Sequence, residues 1–297
     1  MMKNKVNRES PSKMAEGIAM QRFAESSKSE NERICYDPYA IHFISPEIIE
    51  FGMKYPEEAK AKIEMTEKLF PGLSSSIIAR VRYFDDFIRK SINEGLEQLV
   101  ILGAGYDTRT YRIDELNNIK VFEVDHPNTQ SFKIEKIKEI FDFTHDNVIY
   151  VSIDFETETL SQKLFDYGYD GSKKTLFILE GLIMYIPPDV VSEILSFIVE
   201  NSGKGSAVLF DYYPESVVDG TCKLEVGINI RNHLIQLGEP LQFGIKEDEI
   251  ENFLIQFGFL EIKNITSEDY KKAYFHGKNE NRDVCELLYF AHAVIEN

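Results

Sequence analysis

Short apolar runs alternate with amphipathic segments along the chain beyond residue 97, and this alternation is the strongest pattern in the sequence. The apolar runs predict buried strands, because each is short and is bounded by polar or turn-forming residues. The predicted strands are Leu99–Leu102, Ile119–Val124, Val148–Ser152, Leu176–Leu179, Ala207–Tyr212, Phe259–Lys263 and Leu287–Val294. The predicted helices between them are Gln130–Ile140, Thr159–Phe165, Pro188–Glu200 and Lys246–Phe257. Strands that alternate with helices are typical of an α/β fold with a doubly wound, mostly parallel sheet.

The chain before the first strand predicts helices only. They are Met14–Phe23, Glu47–Lys54, Glu57–Leu69 and Ser74–Lys90, and the last has Ile77, Val81, Phe84 and Ile88 at helical spacing. We therefore expect a helical N-terminal cap in residues 1–92 and an α/β core in residues 93–297. Residues 214–244 interrupt the alternation after the fifth strand and predict a lid or substrate-binding insertion. A surface loop and helix without such a role fits the pattern nearly as well.

A glycine turn, Gly103-Ala104-Gly105, follows the first predicted strand. Glycine permits a tight turn and lets backbone approach a ligand closely. Asp107 and Thr108 are candidate caps for a helix that begins after the turn. The next strand ends in acids at Glu123 and Asp125. This order of strand, glycine turn, helix, strand and acid predicts a nucleotide-binding crossover.

Two classes of cofactor use this order, and the residues after the glycines favour one of them. The dinucleotide fingerprint needs Gly or Ala at its third small position, where this chain has Thr108. Asp107 adds a carboxylate beside the loop, where it would repel a pyrophosphate. S-adenosylmethionine (SAM) carries an ammonium and a sulfonium but no phosphate, so the loop favours SAM. An NAD-dependent oxidoreductase and a glycine turn on an ordinary crossover remain as alternatives.

Composition narrows the class of protein further. The 297 residues carry a formal net charge of −17 with a pI near 4.9, which argues against a nucleic-acid-binding surface. No apolar run reaches membrane-spanning length, and the N-terminus lacks the apolar core of a signal peptide. The three cysteines are far apart, and the six histidines show no metal-ligand spacing. We therefore expect a cytoplasmic protein without a metal, a membrane segment or a nucleic-acid partner.

Four separated motifs resemble those of the leucine carboxyl methyltransferase family, in the same order. They are ARVRYFDDFI, ILGAGYDTRTYRI, FEVDHP with Lys133 soon after it, and EGLIMYIPP; MQRFAES, YDPYA and GEPLQFGI add to the resemblance. That family comprises class I SAM-dependent methyltransferases and includes bacterial O-methyltransferases, some of which act on polyketides. The resemblance implies a Rossmann-like seven-stranded sheet with an antiparallel last strand. One position differs: Gln21 stands where the carboxyl methyltransferases of protein phosphatase have a lysine.

The resemblance also implies the residues that contact SAM, and their chemistry suits the cofactor. Gly103-Ala104-Gly105 would let backbone pass the methionine moiety. Asp125 would accept hydrogen bonds from the ribose hydroxyls, with Glu123 as the neighbouring alternative. Asp154 and Phe155 match the adenine contact of the family, a carboxylate for the exocyclic amine and an aromatic ring for packing.

Two further positions match family residues that hold the amino-acid end of SAM. Arg80 would grip the SAM carboxylate, because a guanidinium can make two parallel bonds to such a group. Without the resemblance, a surface ion pair between Arg80 and an acid such as Asp85 would be about as good an interpretation. Glu180 ends an otherwise apolar strand at a position where such sheets bind ligands, and we expect it to hold the SAM ammonium.

The function implied is methyl transfer to a carboxylate or hydroxyl of a small-molecule acceptor. A carboxylate is already ionised at neutral pH, whereas a hydroxyl needs a base. Tyr185, Tyr212, Tyr213 and His126 lie near strand ends but form no recognisable dyad, so no catalytic base is predicted.

The acceptor site is expected where the insertion at residues 214–244 faces the N-terminal helices. Arg231 and His233 of this insertion would then orient an anionic group of the acceptor. A carboxyl methyltransferase of a protein C-terminus and a non-catalytic SAM-binding regulator remain as alternatives. The sequence gives no prediction of oligomeric state.

Overall fold

The seven strands predicted from the sequence form one sheet in the computed structural model, which describes residues 12–154 and 157–296. The strands are β1 (Gln98–Leu102), β2 (Lys120–Asp125), β3 (Val148–Ser152), β4 (Thr175–Leu179), β5 (Ala207–Tyr212), β6 (Leu260–Ile265) and β7 (Tyr289–Val294). Their order across the sheet is β3-β2-β1-β4-β5-β7-β6. The first five strands pair in parallel, and β7 is antiparallel to both β5 and β6. The prediction of a Rossmann-like, mostly parallel sheet with an antiparallel last strand is confirmed.

Helices precede the sheet, cover its two faces and follow its strands. They are α1 (Lys13–Ser26), α2 (Pro46–Lys54), α3 (Pro56–Leu69), α4 (Leu73–Asn93), α5 (Arg109–Arg112), α6 (Pro127–Phe141), α7 (Leu160–Asp166), α8 (Pro188–Glu200), α9 (Glu215–Asp219), α10 (Glu225–Gln236), α11 (Ile250–Ile255) and α12 (Ser267–Tyr274). Short 3-10 turns occur at Ala40–Phe43, Asp114–Asn118, Ile183–Tyr185 and Gly277–Asn279. None of the helices in the described residues combines the length and the apolar character needed to cross a bilayer.

Two helices are shorter than the sequence predicts. The helix after the glycine turn is the single turn α5, which passes through Ile113 in extended backbone into a 3-10 turn. The predicted helix Lys246–Phe257 is reduced to α11, because the chain before it turns at Asp248 with a φ of +62°. Long-range contacts therefore override the local helical pattern at both places.

The helix α4 joins the N-terminal helices to the sheet. Its predicted apolar face is buried, and Val81, Phe84 and Ile88 are each at most 1% exposed. These side chains belong to one apolar core with Leu99 of β1 and Phe290 of β7. Because α4 shares its core with the strands, the division between residues 92 and 93 stays a prediction.

A buried ion pair fastens α6 to the sheet. The Nζ of Lys133 lies 2.5 Å from a carboxylate oxygen of Glu123, and both side chains are 1% exposed. Burial raises the pKa of Glu123, while the ammonium of Lys133 acts to lower it. Thr110 donates a further hydrogen bond to Glu123, so the acid is held inside the protein rather than offered to a ligand.

Replacing Glu123 by glutamine is expected to lower the free energy of unfolding by about 3–5 kcal/mol, since it leaves the ammonium of Lys133 buried without its counter-charge. Urea unfolding followed by circular dichroism measures this change. Lys136→Ala provides the control, because its pair with Glu139 is solvent-exposed and should cost less than about 1 kcal/mol. Equal losses for the two variants would contradict the structural role of the buried pair.

Candidate functional site

The glycine turn forms the bend at the end of β1 as the sequence predicts. Gly103 and Gly105 have φ angles of +66° and +43°, a region that side chains other than glycine rarely adopt. A Cβ on Gly103 would lie 3.0 Å from the side chain of Leu182, and one on Gly105 would lie 3.4 Å from Ala15. The backbone N–H groups of Gly103 and Ala104 donate to the carbonyl of Val124, which fixes the turn against β2. Backbone conformation therefore favours glycine at both positions, and at Gly103 the side chain of Leu182 also limits the space.

A cavity of about 490 Å³ opens at the carboxyl ends of β1, β2 and β4. Its wall includes the glycine turn, Asp125 and Glu180, and α1 and α4 contribute Gln21 and Arg80. This is the edge of a doubly wound sheet at which ligands bind. The structure thus brings six of the eight predicted cofactor contacts together on one cavity: Arg80, Gly103, Ala104, Gly105, Asp125 and Glu180.

The acid of β2 that borders the cavity is Asp125. Its carboxylate accepts hydrogen bonds from the backbone N–H groups of Gly105 and His126. Burial raises the pKa of Asp125, and these two N–H groups act to lower it. Glu123, the alternative from the sequence, is occupied by its ion pair with Lys133.

Of the predicted adenine contact, only Asp154 belongs to the described residues. Asp154 does not border the cavity, and its backbone N–H donates to the carboxylate of Glu158. The backbone carbonyl of Asp154 accepts from Thr157 and Glu158, so the residue forms a turn after β3. Phe155 lies outside the described residues.

Arg80 forms ion pairs with two acids and is part of the cavity wall. Its Nε donates to Glu180 at 3.0 Å, and its Nη1 donates to Asp211 at 2.6 Å. Burial alone would lower the pKa of the Arg80 guanidinium, but the carboxylates of Asp211 and Glu180 raise it above its usual range. These two bonds use Nε and Nη1 of the guanidinium. The alternative of a surface ion pair is wrong, since Arg80 is 5% exposed and Asp85 has other partners.

Asp211 is a site residue that sequence reasoning missed. It is fully buried at the end of β5, where it also accepts from the backbone N–H of Gly181 at 2.6 Å. Burial raises its pKa, and Arg80 acts to lower it. The available signal was an acid inside the apolar run AVLFDY, the same signal that identified Glu180 in its strand.

A second arginine extends this ion network beneath the glycine turn. Arg109 donates to Asp85, Asp107 and Glu180, and Arg112 makes two further bonds to Asp85. Of the two predicted caps, Thr108 holds the N-cap position of α5 without a side-chain hydrogen bond, whereas Oδ1 of Asp107 accepts from the backbone N–H of Arg109. The expected repulsion of a phosphate by Asp107 is offset, since Arg109 neutralises this carboxylate. In the described residues, no group of three or more His, Cys, Asp and Glu side chains is arranged to hold a metal ion.

The opposite wall of the cavity comes from α10 and from aromatic residues near the strand ends. His233 borders the cavity with its ring 5.1 Å from that of Phe70. Burial raises the pKa of Tyr185 and of Tyr213, so both phenols stay protonated at neutral pH. The structure does not bring Arg231 to the cavity: its Nε donates to the carbonyl of Val218.

The other two sequence candidates for a base, His126 and Tyr212, do not border the cavity. His126 is the N-cap of α6, where its ring nitrogen accepts from the backbone N–H of Asn128. Tyr212 donates to Asn264 in β6. The hydrogen bonds of His126 and Tyr212 therefore indicate local structural roles.

The sequence and the fold match those of known methyltransferases. A family model described as leucine carboxyl methyltransferase matches residues 15–199. A Bacillus subtilis protein, YktD, named provisionally as an S-adenosyl-L-methionine-dependent methyltransferase, is 30% identical over 262 residues, 86% of this chain and 82% of its own length. A Mycobacterium avium protein with the same kind of name is 32% identical over 196 residues, 65% of this chain and 64% of its own length.

Solved structures show the same fold at low sequence identity. A provisionally named methyltransferase from Thermobifida fusca has a TM-score of 0.57 and 15% identity, covering 81% of this chain and 89% of that one. A DUF574 family protein from Streptomyces avermitilis has a TM-score of 0.58 and 12% identity, covering 93% and 96%. Since the family model spans more than half of the chain, the chain belongs to the leucine carboxyl methyltransferase family of SAM-dependent methyltransferases.

Proposed function

We propose that this protein transfers the methyl group of SAM to a carboxylate or hydroxyl oxygen of a small-molecule acceptor. The observation that carries the proposal is the composition of the cavity, which has polar groups matched to SAM on one wall and an apolar wall facing them. A small-molecule acceptor is favoured because the acceptor wall belongs to the same cavity as the glycine turn.

The residues at the cavity fit the functional groups of SAM. Arg80 uses Nε and Nη1 for its acids, and we assign its Nη2 to the SAM carboxylate, while Glu180 offers negative charge to the ammonium. Asp125 has remaining lone pairs for the ribose hydroxyls. The glycine turn leaves space for the methionine moiety, because side chains at Gly103 or Gly105 would meet neighbouring atoms.

The role of the protein in the reaction is alignment and exclusion of water. SAM supplies an activated methyl group on its sulfonium, ready for in-line displacement. The ion network fixes Arg80 and Glu180, and α10 with Phe70 closes the acceptor side. Tyr185 and Tyr213, which stay protonated, are hydrogen-bond donors and not bases. A carboxylate acceptor would need no base, whereas for a hydroxyl the imidazole on the cavity wall is that of His233.

The acceptor chemistry is tested with methyl-labelled SAM and a panel of small carboxylic acids, phenols, alcohols and peptide C-termini. We expect label on an oxygen of a small molecule. Alkaline treatment then separates the two cases, because a methyl ester releases labelled methanol and a methyl ether does not. Label that appears only on nitrogen, on sulfur or on a peptide C-terminus would contradict the proposal.

Cofactor selectivity follows from the charges around the glycine turn. Calorimetry is expected to show binding of SAM and of its demethylated product, and no measurable binding of NAD or NADP. Thr108 is fully buried where a dinucleotide fold needs glycine or alanine, and Glu180 and Asp125 add negative charge to the cavity. Binding of NAD tighter than that of SAM would overturn the cofactor assignment.

Arg80→Ala should weaken SAM binding by roughly 2–5 kcal/mol, as expected for truncation of one partner in a buried charge pair. Arg80→Lys should restore part of the affinity, because lysine keeps the charge but lacks the planar fork. Arg82→Ala is the matched control: Arg82 lies on the same helix but pairs with Asp86 at the surface. Calorimetry measures the affinities, and thermal unfolding verifies that each variant is folded. Unchanged SAM affinity in folded Arg80→Ala would exclude the contact.

A further inference from the structure

The acceptor side of the cavity is apolar at its base. Phe70, Ile77, Met184, Ile230 and Leu234 border it, and each is at most 8% exposed. They belong to the main apolar core of the protein. This wall is therefore rigid and offers an acceptor mainly dispersion contacts and water exclusion.

The apolar surface continues outwards between α3 and α10. Leu237, directly after α10, borders the cavity and is 52% exposed. Thr66 of α3 and Phe70, directly after this helix, border the cavity. Ile63 lies on the same face of α3 as Thr66, one turn further out, with 67% of its surface exposed. The side-chain amide of Asn229 in α10 donates to the carbonyl of Leu69, which ties the two helices together at the mouth. An apolar strip thus leads from the enclosed cavity to solvent.

The lysine and arginine side chains of the cavity wall come from elements other than α3 and α10. The lysine and arginine side chains that border the cavity in the described residues are Lys13, Arg22, Arg80 and Arg109, which come from α1, α4 and α5. What α3 and α10 contribute to the wall includes neither lysine nor arginine, and Glu239 after α10 adds a negative charge. A phosphate or a second carboxylate on the acceptor would lie here without a counter-ion.

We infer that the acceptor carries its reactive oxygen on an extended apolar group, a chain or ring system that leaves the cavity between α3 and α10. This inference rests on the proposed methyl transfer. It excludes nucleotides, phosphorylated metabolites and acidic peptides as acceptors. The reacting oxygen points inwards to the sulfonium methyl of SAM, and the apolar group lies along Phe70, Leu234 and Leu237.

The test uses straight-chain carboxylic acids and alcohols from two to ten carbons as probes. Calorimetry measures their dissociation constants for the intact protein saturated with the demethylated cofactor, so that binding is read without turnover. Affinity should increase about threefold to fourfold for each added methylene that is buried. A flat series, or tighter binding of short polar acids, would overturn the inference.

A matched pair of variants distinguishes binding along the apolar strip from nonspecific binding to exposed apolar side chains. Leu237→Glu should weaken binding of the decyl probes by roughly five- to tenfold and leave the two-carbon probes unchanged. Ile235→Glu is the control, because Ile235 is 47% exposed on the same segment but does not border the cavity. Equal effects of the two variants would also overturn the inference. Thermal unfolding shows whether each variant is folded, and Leu237→Gln replaces Leu237→Glu if the latter is not.

The two proposals fail in different ways. If labelled methyl is transferred to short polar acids and affinity does not increase with chain length, the proposed function holds and the inference of an apolar acceptor is wrong. If affinity increases with chain length and Leu237→Glu reduces it, but no methyl is transferred to an oxygen acceptor, the apolar site is supported and the proposed methyl transfer to oxygen is wrong.

Discussion

The site depends on one buried network of opposite charges. Three guanidinium groups face four carboxylates in it, and each member bonds directly to at least one of opposite sign: Arg80, Arg109, Arg112, Asp85, Asp107, Glu180 and Asp211. These side chains come from α4, the segment after β1, and the ends of β4 and β5. Burial of any one of them alone would cost several kcal/mol, so the network can exist only as a whole. Because its members depend on one another, the network fixes four separate parts of the chain relative to one another.

The same network sets the electrostatic character of the cavity. With all members ionised, four negative charges exceed three positive charges by one. A ligand with an ammonium and a sulfonium compensates such an excess, whereas a pyrophosphate adds to it. The rigidity of the site and its preference for a positively charged ligand therefore both come from the ion network. The glycine turn contributes space instead of charge.

The sequence predicted most of the fold, because its strands are apolar throughout and its helices are amphipathic. It predicted the position of Arg80 through family resemblance, yet it did not predict that Asp211 would hold this arginine. That pair joins residues 131 positions apart in the sequence, and no local sequence pattern predicts a contact over such a separation. Arg231 fails for a related reason: its charge suggested a ligand contact, but the carbonyl of Val218 lies within reach of its Nε at 3.1 Å. Type and order of elements are local properties, whereas the partner of a side chain is decided by tertiary structure.

The position of β7 has a consequence for synthesis. This strand is the last of the seven along the chain, but it lies inside the sheet, hydrogen-bonded to β5 on one side and to β6 on the other. Until it emerges from the ribosome, β5 presents an open edge of apolar residues and β6 has no neighbour. A chain stalled before Tyr289 therefore exposes the surface by which unfinished sheets associate with one another. For the nascent protein, the interval between β5 and β7 is the period in which it depends most on chaperones.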